Sequence, residues 1–472
     1  MTSTDLTRQR LALVVVCAAT LMTVIDETVV AVALPSIEHD LGFARSQLPW
    51  VVNAYLIGFG GLLLVAGRVG DLVGRGRVLL VGMSVFTLAS VLCGLAQDPT
   101  WLVAARFVQG AAGALATAVA LGMVAALFDE PAARDRAMGT YAFMGALGAS
   151  TGFVLGGVIT SALDWRWAFL VNLPIGVLVV AIGLRVLPRE SGPGLRGGVD
   201  WLGGALLVVG LMTLVAAILD SSLVLAVVAT ASLVGFGARQ GVAEVPVLPL
   251  EVFRSRVMTV ANLAFACFVG AMFTFQFTVT LHLQEVLGLG PAQAGLGILP
   301  IAAGLAVVAT LVFPRVVGRF GTMTPMVAGL SLVTAGLALL TRATADGSYV
   351  TDLLPSVVLF AVGGGLTLPA MMTTAMSAAP AQHVGVASGL LNTSQQAGGA
   401  VGLAVMSAVA AHVSAGALAD GASRADALVD GFRVAWAGAA GLAAVALVLA
   451  AVGLRRPAVA ASPDPVSCGR SD

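Results

Sequence analysis

Apolar residues in this chain neither alternate nor mark one helical face; they continue for about 20 residues at a time, broken by short stretches of arginine, proline and acid. A helix needs about 20 residues to cross the hydrocarbon core of a bilayer, so each run predicts a spanning segment. Fourteen such runs can be laid out: 11–34, 48–66, 78–96, 101–128, 137–162, 167–187, 201–219, 223–238, 257–281, 292–313, 323–340, 353–375, 384–411 and 434–453. The seventh and eighth are pinched around Asp220 and are the least distinct; one re-entrant segment there would leave thirteen. The first run follows Arg8 and Arg10 as a signal peptide would. It is too long for one, contains Asp26 and Glu27, and lacks a small-x-small cleavage site before Pro35, so it predicts a retained first helix.

Arginine accumulates in loops that remain cytoplasmic. With the N-terminus inside, Arg45, Arg166, Arg342, Arg424 and Arg433 fall in outward segments and Arg106 within a span, while all the other arginines lie inward. That skew predicts an even helix count, with both termini on the cytoplasmic side of a cell membrane. Polar connections at 188–200 and 239–256 set the seventh and eighth runs apart. The expected organisation is a six-helix bundle over 1–188, a two-helix insertion with its linkers over 189–250, a second six-helix bundle over 251–455 and a cytoplasmic tail over 456–472. The stretch GRVGDLVG at 67–74 lines up with PRVVGRFG at 314–321, each directly after the second helix of its bundle, as a duplication would leave them. The fold class expected is an all-α polytopic membrane protein with two pseudo-symmetric halves.

Composition narrows the function. The 472 residues are 58% hydrophobic and 10% charged, with a mean hydropathy of +1.00, a balance that requires a lipid bilayer as solvent. The formal charge is zero, which gives no basic excess to hold nucleic acid. All 24 bases are arginine. Without lysine there is neither a phosphate-binding P-loop nor a Schiff base, so no nucleotide and no cofactor is expected, and active transport must draw on an ion gradient or a separate ATPase subunit. Cys17, Cys93, Cys267 and Cys468 form no C-x-x-C pair, and His39, His282, His383 and His412 are scattered singly, so no metal site is expected. Gly148-Ala149-Ser150-Thr151-Gly152 matches a hydrolase elbow only as a string, since that elbow needs a strand, a turn and a histidine partner. An enzyme is not expected.

Asp26 and Glu27 lie inside the first run, where an acid costs about 2.5–3.5 kcal/mol on insertion scales and is a functional candidate by default. Arg106 lies at a comparable expected depth in the fourth helix, roughly 8 Å from its outer end against roughly 12 Å for Asp26, which permits a buried pair. A carboxylate that loses such a partner in one conformation takes up a proton, which couples protonation to conformational change. Arg106, Gln109, Gly110 and Gly113 share one helical stripe, polar beside a glycine gap, that suits a cavity wall. Gly67, Asp71, Gly74, Arg75 and Arg77 combine tight-turn glycines with an acid beside arginines and could latch two helices. In the fifth helix Gly148, Gly152 and Gly156 recur every four residues and leave a groove for close helix approach. Phe273, Gln276 and Phe277 in the ninth helix and Met371 and Met372 in the twelfth could form an adaptable apolar wall for substrate.

Taken together and in order, these motifs resemble the major facilitator superfamily, in particular its fourteen-helix drug:proton antiporter branch. Ile25-Asp26-x-Thr28-Val29-Val30-x-Val32-Ala33-Leu34-Pro35 is similar to the branch's first-helix signature, with Ala31 where asparagine is usual. The 67–77 turn resembles the superfamily loop motif, and Arg106-x-x-Gln109-Gly110 the fourth-helix motif linked to proton transfer. Gly139, Gly148, Gly152, Gly156 and Gly157 fall at the spacing of the antiporter motif, with Phe153 in place of its proline. Trp165-Arg166-Trp167-x-Phe169-x-x-Asn172-x-Pro174-Ile175-Gly176 and Leu283-Gln284-x-Val286-Leu287-Gly288 are similar to segments typical of the fourteen-helix branch. The resemblance implies that helices 1, 4, 9 and 12 line a central cavity and that two bundles rock about a midplane site, with inward proton flow driving export of an amphiphilic compound such as a drug or antibiotic. A monovalent cation/proton exchanger, or a transporter-like membrane sensor, is the alternative. Apart from Asp26 and Glu27 no acid stands well inside a run, so neutral or monocationic amphiphiles are the expected substrates and dications are not.

Overall fold

In the computed structural model, which describes residues 3–128, 130–187, 194, 198–378 and 384–454, fourteen helices are long and apolar enough to cross a membrane. They are α1 (Ser3–Leu41), α2 (Trp50–Val73), α3 (Arg75–Gly94), α4 (Pro99–Leu127), α5 (Pro131–Ala162), α6 (Trp167–Val186), α7 (Trp201–Leu219), α8 (Leu223–Val242), α9 (Arg256–Val286), α10 (Pro291–Phe320), α11 (Met323–Leu340), α12 (Tyr349–Ser377), α13 (Val384–Ala419) and α14 (Arg424–Gly453). No strand occurs among the described residues. Arg189, Arg196, His383, Arg455, Arg456, Cys468, Arg470 and the 456–472 tail lie outside them, as does most of the 188–200 connection.

The count read from the sequence holds, including the pinched pair. Ser221 turns the chain at φ 50° and Ser222 caps the new helix by accepting from the Leu225 N–H, so α7 and α8 are two full helices. Helix ends depart more. α14 starts at Arg424 rather than 434 because Ser423 caps it, accepting from the Asp426 N–H at 3.1 Å; its polar first turns conceal the start from an apolar count. α1 likewise runs through Pro35 to Leu41, past the end of its apolar run.

The same packing order recurs in both halves. α1 packs on α4, α5 and α6, α2 on α4, and α3 on α4 and α6; eight helices later, α9 packs on α12, α13 and α14, α10 on α12, and α11 on α12 and α14. The repeated eight-residue stretches close on equivalent glycines, Gly74 at φ 107° and Gly321 at φ 70°, a region that side chains avoid. The halves meet through α5 on α10 and α2 on α13, two seams that the duplication maps onto each other, and through α1 against α9 and α10. α7 lies on both α2 and α13, and α8 packs on α7. The insertion therefore covers the α2–α13 seam.

Glycine sets how closely the helices approach. A Cβ on Gly110 would overlap the backbone of Tyr55, 2.9 Å from its Cα, and one on Gly58 would stand 3.1 Å from the Ala111 nitrogen, so α2 and α4 touch backbone to backbone. On α5, Gly148, Gly152 and Gly156 face Val24, Thr28 and Val29 of α1, while Gly157 faces Pro291 and Ala292 of α10. Gly139 has no atom within 4 Å of such a Cβ, so the first glycine of the motif takes no part in this packing. α5 runs unbroken through Phe153, whose carbonyl is turned to Gly295 of α10.

The insertion is held by Asp200. Its Oδ1 caps α7 by accepting from the Gly203 N–H at 2.9 Å and also accepts from Arg239 Nε of α8 at 2.9 Å, while Oδ2 accepts from Gln240 Nε2 at 3.1 Å. Burial opposes the charge, but these donors outweigh it and hold the carboxyl below the usual carboxylate range. A lowered folded value means that the stabilisation is complete at neutral pH and is lost as pH falls through that value.

Two stability tests follow, both read as melting temperature of detergent-purified protein. Gly110→Ala should lower it by several degrees, as overpacking costs typically 1–3 kcal/mol, while Gly139→Ala should leave it unchanged or raise it slightly. Asp200→Ala should cost about 0.5–2 kcal/mol at pH 7, the range of a lost cap, and should flatten the loss of stability expected in the parent as pH falls below the usual carboxylate range. Equal melting of Gly110→Ala and Gly139→Ala, or an unchanged acid profile for Asp200→Ala, would contradict the packing described.

Candidate functional site

A charged network lies sealed inside the first half. Arg106 of α4 donates from Nη1 to Asp26 Oδ2 of α1 at 2.6 Å and to Gln109 Oε1 at 2.7 Å, and from Nε to the Val51 carbonyl of α2 at 3.1 Å. The second carboxylate oxygen, Asp26 Oδ1, accepts from Gln109 Nε2 at 2.7 Å and from Asn172 Nδ2 of α6 at 2.8 Å. Ser90 of α3 accepts from both amides and donates to the Phe169 carbonyl. The guanidinium also lies 4.4 Å from the Tyr55 ring centre and 5.7 Å from that of Phe169. Asp26 is 0% and Arg106 1% exposed.

Local sequence places each donor. The first-helix acid and the fourth-helix arginine come together although α1 extends further than the sequence implied, so comparing depths from the helix ends was only a rough guide. α6 is interrupted after Leu170 and resumes at Asn172, just before Pro174, whose ring and missing N–H disfavour a helix running through that point. The interruption leaves Asn172 aimed at the carboxylate and the Phe169 carbonyl available to Ser90.

The predicted residues separate into distinct environments. Gln109, expected on a cavity wall for substrate, is fully buried with both side-chain heteroatoms bonded inside the network, because the amide bridges acid and base. Glu27 does not join the pair: it is half-buried and has no hydrogen bond or ion pair among the described residues. Phe273 and Phe277 are buried at 6% and 7%, Gln276 between them is half-buried, Met371 is fully buried and Met372 is 39% exposed. The two methionines therefore do not form one wall, since neighbours on a helix point about 100° apart.

Asp71 and Arg75 pair at 3.1 Å across the α2–α3 corner, and Arg75 Nη1 donates to the Gly122 carbonyl of α4 at 3.4 Å. Gly194 N donates to the Leu72 carbonyl at 2.9 Å and Arg68 Nε to that of Gly198 at 3.3 Å, which brings the connection to α7 onto the same corner. Gly67 and Arg77 stand at its edge, Arg77 exposed.

Sequence reasoning missed Ser90 and Tyr55 and gave Asn172 no role; the only available signal was a small polar residue in an apolar run. It also missed a charged closure between the halves. Arg45 Nη2, between α1 and α2, lies 2.6 Å from Glu285 Oε1 of α9; Arg424 Nη2 of α14 lies 3.4 Å from Glu285 Oε2, and Gln284 Nε2 donates to the Val32 carbonyl of α1 at 2.9 Å. Gln284 and Val32 stand 252 residues apart and Arg424 and Glu285 139, so no local pattern joins them.

The comparisons agree with this architecture. The chain is 37% identical over 453 residues to the puromycin resistance protein pur8 of Streptomyces alboniger, covering 93% of this chain and 90% of that one. It is also 37% identical over 424 residues to the cephamycin export protein CmcT of Amycolatopsis lactamdurans, covering 87% of each. Its fold matches a bacterial homologue of the human lysosomal transporter Spinster, crystallised inward-facing and unoccupied, with a TM-score of 0.67 and 16% identity over 95% of this chain and 98% of that one. The family model described as Major Facilitator Superfamily matches residues 16–403, and with its fourteen helices, its duplicated halves and these relatives the chain belongs to the major facilitator superfamily of membrane transporters.

Proposed function

We propose that the protein is a proton-coupled antiporter that exports amphiphilic drugs, antibiotics or secondary metabolites across the plasma membrane by alternating access. The observation that carries this reading is the sealed Asp26–Arg106 network with its two amide donors. Removing one partner of a buried pair costs about 3–5 kcal/mol, so a conformational change that parts them is favourable only if the carboxylate is neutralised. A proton does this. Arg106 is then the positioned counter-charge and Asp26 the group that is loaded and unloaded.

The moving bodies are 1–188 and 251–455, with 189–250 as the insertion against the α2–α13 seam and 456–472 as a tail; both termini are cytoplasmic. On that orientation the Gly67, Asp71, Gly74, Arg75 and Arg77 corner is a cytoplasmic latch, and the Arg45–Glu285–Arg424 cluster closes the outer end. The glycines of α5 allow α1 and α10 to slide at close range, which is how Gly148, Gly152, Gly156 and Gly157 of the motif would favour antiport, with Gly139 outside that contact. Phe273, Gln276, Phe277 and Met371 contribute to the substrate wall. The names of the two relatives, one for puromycin resistance and one for cephamycin export, support a drug or antibiotic as cargo. Such a transporter needs substrate, protons and a lipid bilayer, and no nucleotide or nucleic acid. A cation/proton exchanger is less well supported, because Asp26 and Glu27 are the only acids more than two turns inside a helix among the described residues, and Asp26 is committed to Arg106.

Expression in a pump-deficient host should lower susceptibility to several amphiphilic compounds, an effect abolished by a protonophore. Asp26→Asn retains an amide that can stay within the network and should insert normally, yet lose proton-driven efflux. Arg106→Lys keeps the charge but not the fork that binds Asp26, Gln109 and Val51 together, and should cut transport at least tenfold. Wild-type efflux from either variant at equal membrane expression would refute the coupling role.

A further inference from the structure

Arg106 is attached unequally to the helices around it. Its hydrogen bond to Asp26 reaches α1, whereas those to Gln109 and to the Val51 carbonyl stay within α4 and its neighbour α2. One turn along α2 from Val51 stands Tyr55, 1% exposed, with its ring centre 4.4 Å from the guanidinium carbon. Glycine makes room for it. A Cβ on Gly110, one turn from Arg106, would lie 2.9 Å from the Tyr55 Cα, and one on Gly113 would lie 3.2 Å from the Tyr55 hydroxyl. The glycine gap on α4 is therefore filled by this ring and by that of Phe59, whose centre is 5.9 Å away. The Tyr55 hydroxyl has no hydrogen-bond partner among the described residues, so the ring rather than its polar end is engaged. Phe169 of α6 offers a second ring, farther off at 5.7 Å. Because α2 and α4 touch backbone to backbone while Asp26 is carried by α1, parting the pair leaves the cation with α2 and α4.

We propose that Tyr55 is a positioning residue of the coupling site, whose ring holds the Arg106 cation between α2 and α4 while Asp26 is neutral or withdrawn. This rests on the antiporter reading above and supplies what that reading lacks, a partner for Arg106 in the part of the cycle when its counter-charge is gone. A neutralised Asp26 leaves a guanidinium in low dielectric with only carbonyl dipoles for company. The face of an aromatic ring attracts a cation and repels an anion. Its attraction for Arg106 is thus offset while the carboxylate is charged and is felt in full once the carboxylate is protonated. The ring accordingly favours proton loading, and it keeps the guanidinium in place to receive the carboxylate when the proton leaves.

The test uses the full-length protein in detergent. The infrared carboxylic-acid carbonyl band that disappears in Asp26→Asn is followed against pH. Tyr55→Phe keeps the ring and should titrate with the parent midpoint; it should melt no lower than the parent, since the hydroxyl it removes is unbonded. Tyr55→Leu and Tyr55→Met fill the space without a ring, and should move the midpoint to lower pH by about half a unit or more. Phe59→Leu removes the neighbouring ring and should lower the melting temperature without moving the midpoint. In proteoliposomes, ethidium efflux by Tyr55→Leu should need a more acidic external side to reach half its maximal rate, while Tyr55→Phe follows the parent. An equal shift in Tyr55→Phe, an equal shift in Phe59→Leu, or an unmoved midpoint in both ringless variants would overturn the assignment. A parent protein without a carbonyl band that vanishes in Asp26→Asn would defeat the proton-coupling reading itself, and this is read before any Tyr55 variant is made.

Discussion

A charge in hydrocarbon must be compensated, and in this protein that requirement is met by placing one acid and one base where four helices converge. Arg106 alone would be an uncompensated cation in the middle of the first half, and Asp26 alone an uncompensated anion. Together they are neutral, and the amides of Gln109 and Asn172 take up the remaining oxygen. The network draws its members from α1, α3, α4 and α6, with the Val51 carbonyl of α2 as a fifth contact, so it ties most of the bundle to one carboxylate. Whatever alters the charge of that carboxylate acts on all of those helices at once.

The rest of the architecture determines which motions that change can produce. Glycine brings α2 and α4 into backbone contact, and α5 reaches α1 through Gly148, Gly152 and Gly156 and α10 through Gly157. α5 is therefore packed on the acid-bearing helix and on the other half at once. The two seams between halves differ in one respect: α2–α13 carries α7 of the insertion as a cover, whereas the helix that touches both α5 and α10 is α1 of the first bundle. The insertion, stapled to itself through Asp200, makes an otherwise symmetric pair of seams unequal.

Fourteen helices, the duplication and the candidate pair were legible because each rests on composition or spacing within one short stretch. A span of about 20 apolar residues is a local signal, and an acid or arginine inside one stands out. Helix starts made of polar residues were not legible: α14 begins ten residues before its apolar run because Ser423 supplies a cap. The partners of the site were not legible either. Nothing near Gln109 in sequence shows that its amide bridges Asp26 and Ser90, and nothing near Glu285 reveals Arg45. Long-range pairing of polar groups is decided by packing, so a single sequence shows the candidates but not which of them are already satisfied.

The division between Asp26 and Glu27 follows from helix geometry. Consecutive residues point about 100° apart, so two neighbouring acids on a helix at the centre of a bundle cannot share one environment. Asp26 faces its donors and is bonded at both oxygens; Glu27, half-buried, has no hydrogen bond or ion pair among the described residues. A modest rotation of α1 would move both at once, drawing Asp26 from its donors. On the proposed reading this links the charge state of the coupling acid to the position of α1 as a single rigid element, with no chain of intermediate contacts.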